Sequence, residues 1–183
     1  MCKMLSLAIT VTTCSAFLGA FILIDSTNAL AQQKCKEYSK NLSENSTYTQ
    51  QLAIDVGDVP GHQVRVLEIY STYPNAEPNC EGLKAVESWG RGTSDYINTN
   101  GSANGYTVTV LENGDKTFQR WFGIAQAVDN PDGSRKITFT GTYSYIGGTG
   151  KYAGIKGMGR TACRFDPAAD YNECESEGEY WLE

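Results

Sequence analysis

Residues 147–157 read GGTGKYAGIKG, five glycines in eleven positions with Lys151 among them, and this is the first place to look for phosphate chemistry. A P-loop needs G-x-x-x-x-G-K-[ST], so that backbone N–H groups and the lysine wrap the phosphates while a hydroxyl binds magnesium. Here Gly150-Lys151 is followed by Tyr152, and the position five before Gly150 is Tyr145, so both ends fail. A dinucleotide turn needs G-x-G-x-x-G opening a long helix. Gly148 and Gly150 fit that pattern, but position 153 is alanine and a β-rich run follows too soon for a helix. The segment therefore reads as a structural corner, with glycines for positive φ and close backbone approach.

Three other groups could carry chemistry. His62 is the single histidine and begins a β-rich run. A general base needs a nucleophile or acid beside it, and no G-x-S-x-G elbow is present, so His62 reads as a surface or strand-end residue. Glu175, Glu177 and Glu179 alternate along one strand face. Neighbours on such a face stand about 6.8 Å apart, whereas calcium gathers oxygens at about 2.3–2.6 Å. A solvated, ion-paired face is the expectation, and no metal or cofactor is called for. The third group is spread over several runs: Glu68, Glu87, Trp89, Arg91, Tyr106 and Arg120, with Tyr96 and Trp121 nearby. Alternation puts Glu87, Trp89 and Arg91 on one face, and that mixture of aromatic and polar groups suits a ligand pocket. A solvent face with aromatic neighbours is the alternative. The six are the candidate ligand-binding residues.

The elements that must position these groups are short. From about Tyr48 the chain forms β-rich runs near 48–57, 62–72, 84–96, 104–112, 117–127, 136–145, 155–165 and 174–182, separated by Gly, Pro, Asn and Asp. Strands at this spacing without a helical period predict an all-β sandwich or barrel. Asn113-Gly114 reads as a two-residue hairpin turn. That turn would set Tyr106 opposite Trp121, Val108 opposite Gln119 and Val110 opposite Thr117. Both faces of the hairpin are then partly apolar. Two occupied faces suit a barrel with a filled or ligand-holding interior and an exterior covered by partner subunits or a terminal segment.

A second hairpin would join 155–165 to 174–182. If Cys163 bonds Cys174 across it, Arg160 faces Glu177, Arg164 faces Glu173, and Tyr180 lies over Gly157. These pairs are mutually favourable, and the agreement supports that disulfide.

The first 31 residues read as a signal peptide. Met4–Ile24 is nearly uncharged and mostly apolar, and Ala29-Leu30-Ala31 supplies the small-x-small cleavage pattern. Cleavage would leave a polar lead-in over 32–47, a single β domain over 48–183, and no second apolar span to hold the chain in a membrane. It would also remove two of the six cysteines. Cys35, Cys80, Cys163 and Cys174 remain, and an even number in an exported chain reads as two disulfides with three pairings open. Secretion or a periplasmic location follows. A net charge of −6 excludes the basic face that a nucleic-acid binder needs.

The segment FTGTYSYIGGTGKYAGIKGMG resembles the strand–GGTG-[KR]-[FY]–strand unit of the allene oxide cyclase and dirigent-protein barrels, with the likeness clear over about 137–182. The resemblance implies an eight-stranded antiparallel barrel, often a homotrimer, whose lumen holds an apolar or aromatic small molecule. Proteins of these families guide cyclisation or radical coupling mainly by orienting a reactive substrate. Two functional expectations follow: a barrel that binds a small hydrophobic or aromatic molecule, with or without action on it, or a non-catalytic structural or interaction barrel with a filled core.

Overall fold

The computed structural model describes residues 33–166 and 171–183, so the expected signal peptide lies outside the described residues. Nine strands form one antiparallel sheet: β1 Cys35–Leu42, β2 Ser46–Asp55, β3 His62–Thr72, β4 Ala85–Ile97, β5 Asn100–Leu111, β6 Lys116–Asp129, β7 Arg135–Gly148, β8 Ile155–Asp166 and β9 Tyr171–Leu182. The spatial order is β1-β9-β8-β7-β6-β5-β4-β3-β2. From β2 to β9 each strand pairs with the next in the chain, the order that short turns favour.

This corrects the expected eight-stranded closed barrel. The ladder is open between β1 and β2, its two edge strands. The added strand comes from the polar lead-in. Lys36, Tyr38 and Lys40 alternate with Glu37 and Ser39 and pair along β9 from Cys35↔Tyr180 to Leu42↔Glu173. The chain then breaks into a 3-10 turn at Ser43–Asn45 and resumes as β2, paired with β3 from Ser46↔Ser71. One continuous stretch thus serves both edges of the sheet. A three-residue link between the edges requires the sheet to curl, and one of its faces encloses a cavity to which every strand contributes.

The β8–β9 hairpin has the register expected of it: Gly157↔Tyr180, Arg160↔Glu177, Cys163↔Cys174 and Arg164↔Glu173. Cys163 is disulfide-bonded to Cys174, and Cys35 to Cys80 in the β3–β4 loop. They close loops of different length, 45 and 11 residues apart in sequence, so the loop-entropy contribution is about 4 kcal/mol for the longer and about 3 for the shorter. Two such bonds suggest an oxidising, extracellular or periplasmic environment.

The β5–β6 hairpin differs from expectation by one residue. The observed pairs are Gly105↔Trp121, Tyr106↔Arg120, Thr107↔Gln119 and Val108↔Phe118. The turn holds three residues, Glu112, Asn113 and Gly114. Leu111 N–H donates to Asp115 O at 2.8 Å, and Gly114 N–H to Leu111 O at 2.8 Å. Gly114 alone in this turn has positive φ (86°), as in a turn closed by a glycine bulge. The Asn113 side chain accepts from Asp115 N–H at 3.0 Å, which favours this turn over the two-residue one.

One end of the curled sheet is packed solid. Leu111, Tyr152, Ile155, Tyr180 and Cys35 form the buried cluster there, with Leu83, Ala85, Tyr145 and Leu182 against it. The glycine-rich segment makes this plug. Thr149 N–H donates to Lys116 O at 2.8 Å and its hydroxyl accepts from Lys116 N–H at 2.8 Å, stitching the segment to the start of β6. A Cβ at Gly148 would come within 2.5 Å of Lys116 O, so only glycine allows this approach. Gly150 takes φ +54°, and the 3-10 turn that follows drives Tyr152 inward to 1% exposure.

Candidate functional site

The cavity has a volume of about 1070 Å³, in the upper range for small-molecule sites. Its walls are built by one repeated device. On the inner face, Trp121 is paired with Gly105, which is paired with Gly92. A Cβ at Gly105 or Gly92 would lie 2.6 or 2.7 Å from the Trp121 ring. The indole therefore lies flat across two strands. Phe139 does the same over Gly123 and Gly141, where a Cβ would meet its ring at 2.2 and 3.0 Å. Tyr143 lies over Gly159 and Gly178, where a Cβ would come within 2.3 and 2.6 Å of its ring or hydroxyl. Small residues here make room for rings that present a broad face to the interior.

The third ring has a polar end. Tyr143, Gly159, Gly178 and Glu37 are successive partners across β7, β8, β9 and β1. Crossing the two glycines brings the Tyr143 hydroxyl to Glu37, to which it donates at 2.6 Å. Tyr145 donates to the other oxygen of the same carboxylate at 2.6 Å. Burial and the Glu37 carboxylate hold both hydroxyls far above the ordinary phenol value, so both remain protonated donors. Tyr145 also meets Tyr180 edge-on at 5.9 Å. A second carboxylate, Glu81, accepts from Tyr180 and, at 3.4 Å, from Tyr152, whose oxygen accepts from Asn79 at 2.7 Å. Four tyrosines and two carboxylates thus tie β1, β7, β9, the glycine corner and the disulfide-bonded β3–β4 loop together.

On the same face, near the opposite end of β3, stands Arg65. It donates through Nε and Nη2 to Gln63 Oε1 at 3.1 and 2.7 Å. The Gln63 amide donates in turn to Asp55 at 2.8 Å.

The six residues expected to bind ligand do come together, on the other face. Glu68 pairs with Arg91, Arg91 with Tyr106, and Tyr106 with Arg120, in one row across β3–β6. Glu87 and Trp89 extend the same face along β4. None of the six lines the cavity. The pleat gives the reason: Ser88 and Gly90 alternate with Glu87, Trp89 and Arg91, and it is the small residues that point inward. The six form a cluster on the outer face, with Arg91, Tyr106 and Arg120 exposed and Glu68, Glu87 and Trp89 half-buried. Arg91 Nε donates to Glu68 at 2.6 Å and its guanidinium sits 5.5 Å over the Trp89 ring. Tyr70 stacks at 4.6 Å on Trp89 and donates to Glu87 at 2.9 Å. Tyr106 is 54% exposed.

The remaining candidates are held in ion pairs and hydrogen bonds. Glu175, Glu177 and Glu179 are paired with Lys40, Arg160 and Lys34. His62 is held between two carboxylates, Nδ1 at 2.6 Å from Asp58 and Nε2 at 2.7 Å from Asp95. The hydrogen bonds to Asp95 and then Asp58 raise its pKa above the ordinary 6.5.

Tyr96 and Trp121, named beside the six, do line the cavity, whereas sequence reasoning missed the glycine bed beneath Trp121 and the rest of the wall: Phe139, Tyr143, Tyr145, Glu37 and Arg65. A signal was present. Gly and Ser alternate through Ser88, Gly90, Gly92 and Ser94, and glycines recur at 105, 123, 141, 159 and 178. Small residues at every second position of a strand mark the face on which something large lies. The chain matches no family model, no curated protein and no solved structure.

Proposed function

We propose that this protein is exported and holds a small hydrophobic or aromatic molecule in the cavity enclosed by its sheet. The observation that carries the reading is the cavity: about 1070 Å³, walled by Trp121, Phe139 and Tyr143 laid flat on glycines, with a few polar groups at its margins. A purely structural domain has no use for such a space, since empty volume forfeits packing energy. A filled core describes only the end plugged by Tyr152 and Ile155. The two disulfides accord with export. The likeness of the β7–corner–β8 segment to the allene oxide cyclase and dirigent families points to the same kind of ligand. It also supplies the reading in which the wall orients that ligand for cyclisation or coupling within a homotrimer.

Native mass spectrometry of the protein purified from its own host's secretions is the test. A mass above the polypeptide that is lost on denaturation, with an aromatic or apolar small molecule recovered, is the expected result, and the same spectrum reads the subunit number. A bare polypeptide that also fails to bind N-phenyl-1-naphthylamine, a neutral fluorescent aromatic, would overturn the reading.

A further inference from the structure

Among the charged residues bordering the cavity, Arg65 stands apart. Glu37 is engaged by Tyr143 and Tyr145, and Lys40 by Glu173 and Glu175. Lys36 lies on the opposite side of β1 from Glu37 by strand alternation. Glu77 is in the loop after the far end of β3, away from Arg65 near its start. Arg65 makes no ion pair with any carboxylate among the described residues, and its recorded partner is the neutral Gln63 side chain. A guanidinium withdrawn from water toward an apolar space normally finds an anion, because desolvating it alone is costly.

Hydroxyl groups able to donate stand near Arg65. Tyr48 and Tyr96 line the same cavity, and neither hydroxyl makes a hydrogen bond among the described residues. Desolvation pushes both hydroxyls up, only in part for Tyr48, which is 51% exposed, and the Arg65 charge offsets some of that rise, so the guanidinium acts on both rings. Ser94 is the cross-strand partner of Arg65. It is 2% exposed and stands outside the cavity lining, and its Oγ has no hydrogen-bond partner among the described residues. A guanidinium without a carboxylate and two tyrosine hydroxyls on one face describe a place for anionic oxygens.

We propose that the cavity takes a flat aromatic molecule carrying one anionic oxygen group, carboxylate, sulfonate or phosphate, with Arg65 anchoring the anion and Tyr48 and Tyr96 flanking it while the rings rest against the walls formed by Trp121 and Phe139. This rests on the cavity-binding reading above and adds the sign and position of the ligand's head. Glu37, saturated by two tyrosines and carried on another strand, sets a preference for the Arg65 end.

The test uses two probes with the same ring system: 1-anilinonaphthalene-8-sulfonate, which carries an anion, and N-phenyl-1-naphthylamine, which does not. Fluorescence titrations compare wild type with R65M, R65K and, as a control on the outer face, R91M. R65M is expected to weaken the sulfonate about tenfold to a hundredfold, the scale of one charge-assisted hydrogen-bonded contact. It should leave the neutral probe within about twofold. R65K should retain most of the sulfonate affinity, and R91M all of it. Equal loss of both probes in R65M, or no loss of either, overturns the Arg65 assignment while leaving the cavity reading intact. Failure of the wild type to bind either probe overturns both. An unfolded R65M shows in its thermal transition, and the R65K comparison, with Y96F as a second neutral change, then decides the matter.

Discussion

Two clusters in this fold are made of the same parts. On the inner face, Tyr143 and Tyr145 donate to Glu37. On the outer face, Tyr70 donates to Glu87 and Trp89 lies beside both. The hydrogen bonds have similar lengths, 2.6 Å inside and 2.9 Å outside. Their surroundings differ. Tyr143 is 8% exposed, whereas Arg91, which completes the outer cluster, keeps 55% of its side-chain surface in water. Inside, an unmade hydrogen bond leaves a largely desolvated group that water reaches less readily. Outside, water takes over at little cost. Bond geometry alone therefore ranks the two clusters equally, and desolvation separates them. The inner cluster also has a prerequisite that the outer one lacks: two glycines, contributed by two other strands, that let the ring pass.

That prerequisite gives the largest expected effect. At Gly159 a Cβ would come within 2.3 Å of the Tyr143 ring and hydroxyl. Gly159→Val should expel the ring, strain β8 and leave Glu37 with one donor. The cost is expected to be about 3 kcal/mol or more in urea unfolding, from overpacking plus the lost hydrogen bond. A glycine in open space is the control. Nothing lies within 4 Å of a Cβ at Gly82, although its φ of +78° adds backbone strain to any substitution. Gly82→Ala should therefore cost only about 1 kcal/mol, the backbone term by itself. Equal effects at the two sites would mean that the ring does not lie on Gly159.

The next comparison removes the carboxylates. Glu37→Ala leaves two buried tyrosine hydroxyls without an acceptor and should cost about 2–4 kcal/mol. Tyr143→Phe, which also takes away one donor but leaves the other bond in place, should cost about 1–2 kcal/mol. The outer counterpart, Glu87→Ala, should lower Tm by about 2 °C or less, because Tyr70 and Trp89 then turn to solvent. A Glu87→Ala loss as large as that of Glu37→Ala would erase the distinction drawn between the faces. A double-mutant cycle between Tyr143→Phe and Glu37→Gln should show coupling well above that of Tyr70→Phe with Glu87→Gln.

How much of this was legible in the sequence depended on whether side chains or backbone set the register. In β8–β9, two cysteines and the pairs Arg160–Glu177 and Arg164–Glu173 agree on one register only, and the fold has it. In β5–β6 the reading rested on the turn. Asn113-Gly114 suits a two-residue loop, but it also suits a three-residue loop closed by a glycine bulge, and the second was adopted. A slip of one residue exchanges the two faces of a strand relative to its partner. Trp121 was thereby paired with Tyr106 instead of Gly105, and the glycine bed beneath the indole went unseen. The charged and aromatic members of 87–91 attracted attention for their chemistry, yet they face out because their small neighbours are needed within. The strand β1 was hidden for another reason. Its inner face carries only Cys35, Glu37, Ser39 and Asn41, a polar pattern that becomes a strand face once Tyr143 and Tyr145 are there to meet Glu37.

The smallest expected effect sits at the edge of the comparison, where a titratable group belongs to neither cluster. His62 starts β3 with 16% of its side chain exposed, while Asp58 and Asp95, its two partners, are 53% and 64% exposed. The hydrogen bonds to Asp95 and Asp58 raise its pKa above 6.5, and the bond from His62 is the main reason that of Asp58 is lowered. The folded state therefore binds a proton more tightly than the unfolded chain does. The imidazolium contribution is fully present below about pH 6.5, the unfolded value, and is lost as pH rises through the higher folded value. The Asp58 contribution has the opposite sense and is lost only in acid, as pH falls through its lowered pKa. Wild type should exceed His62→Gln in Tm by its widest margin near pH 6, and the margin should narrow steadily as pH rises into the alkaline range. An NMR titration of the His62 ring should give a midpoint above 6.5. A margin that widens with rising pH would mean that the ring is held as the neutral imidazole. The β2–β3 and β4–β5 turns that carry Asp58 and Asp95 would then be joined by ordinary hydrogen bonds instead of by charge.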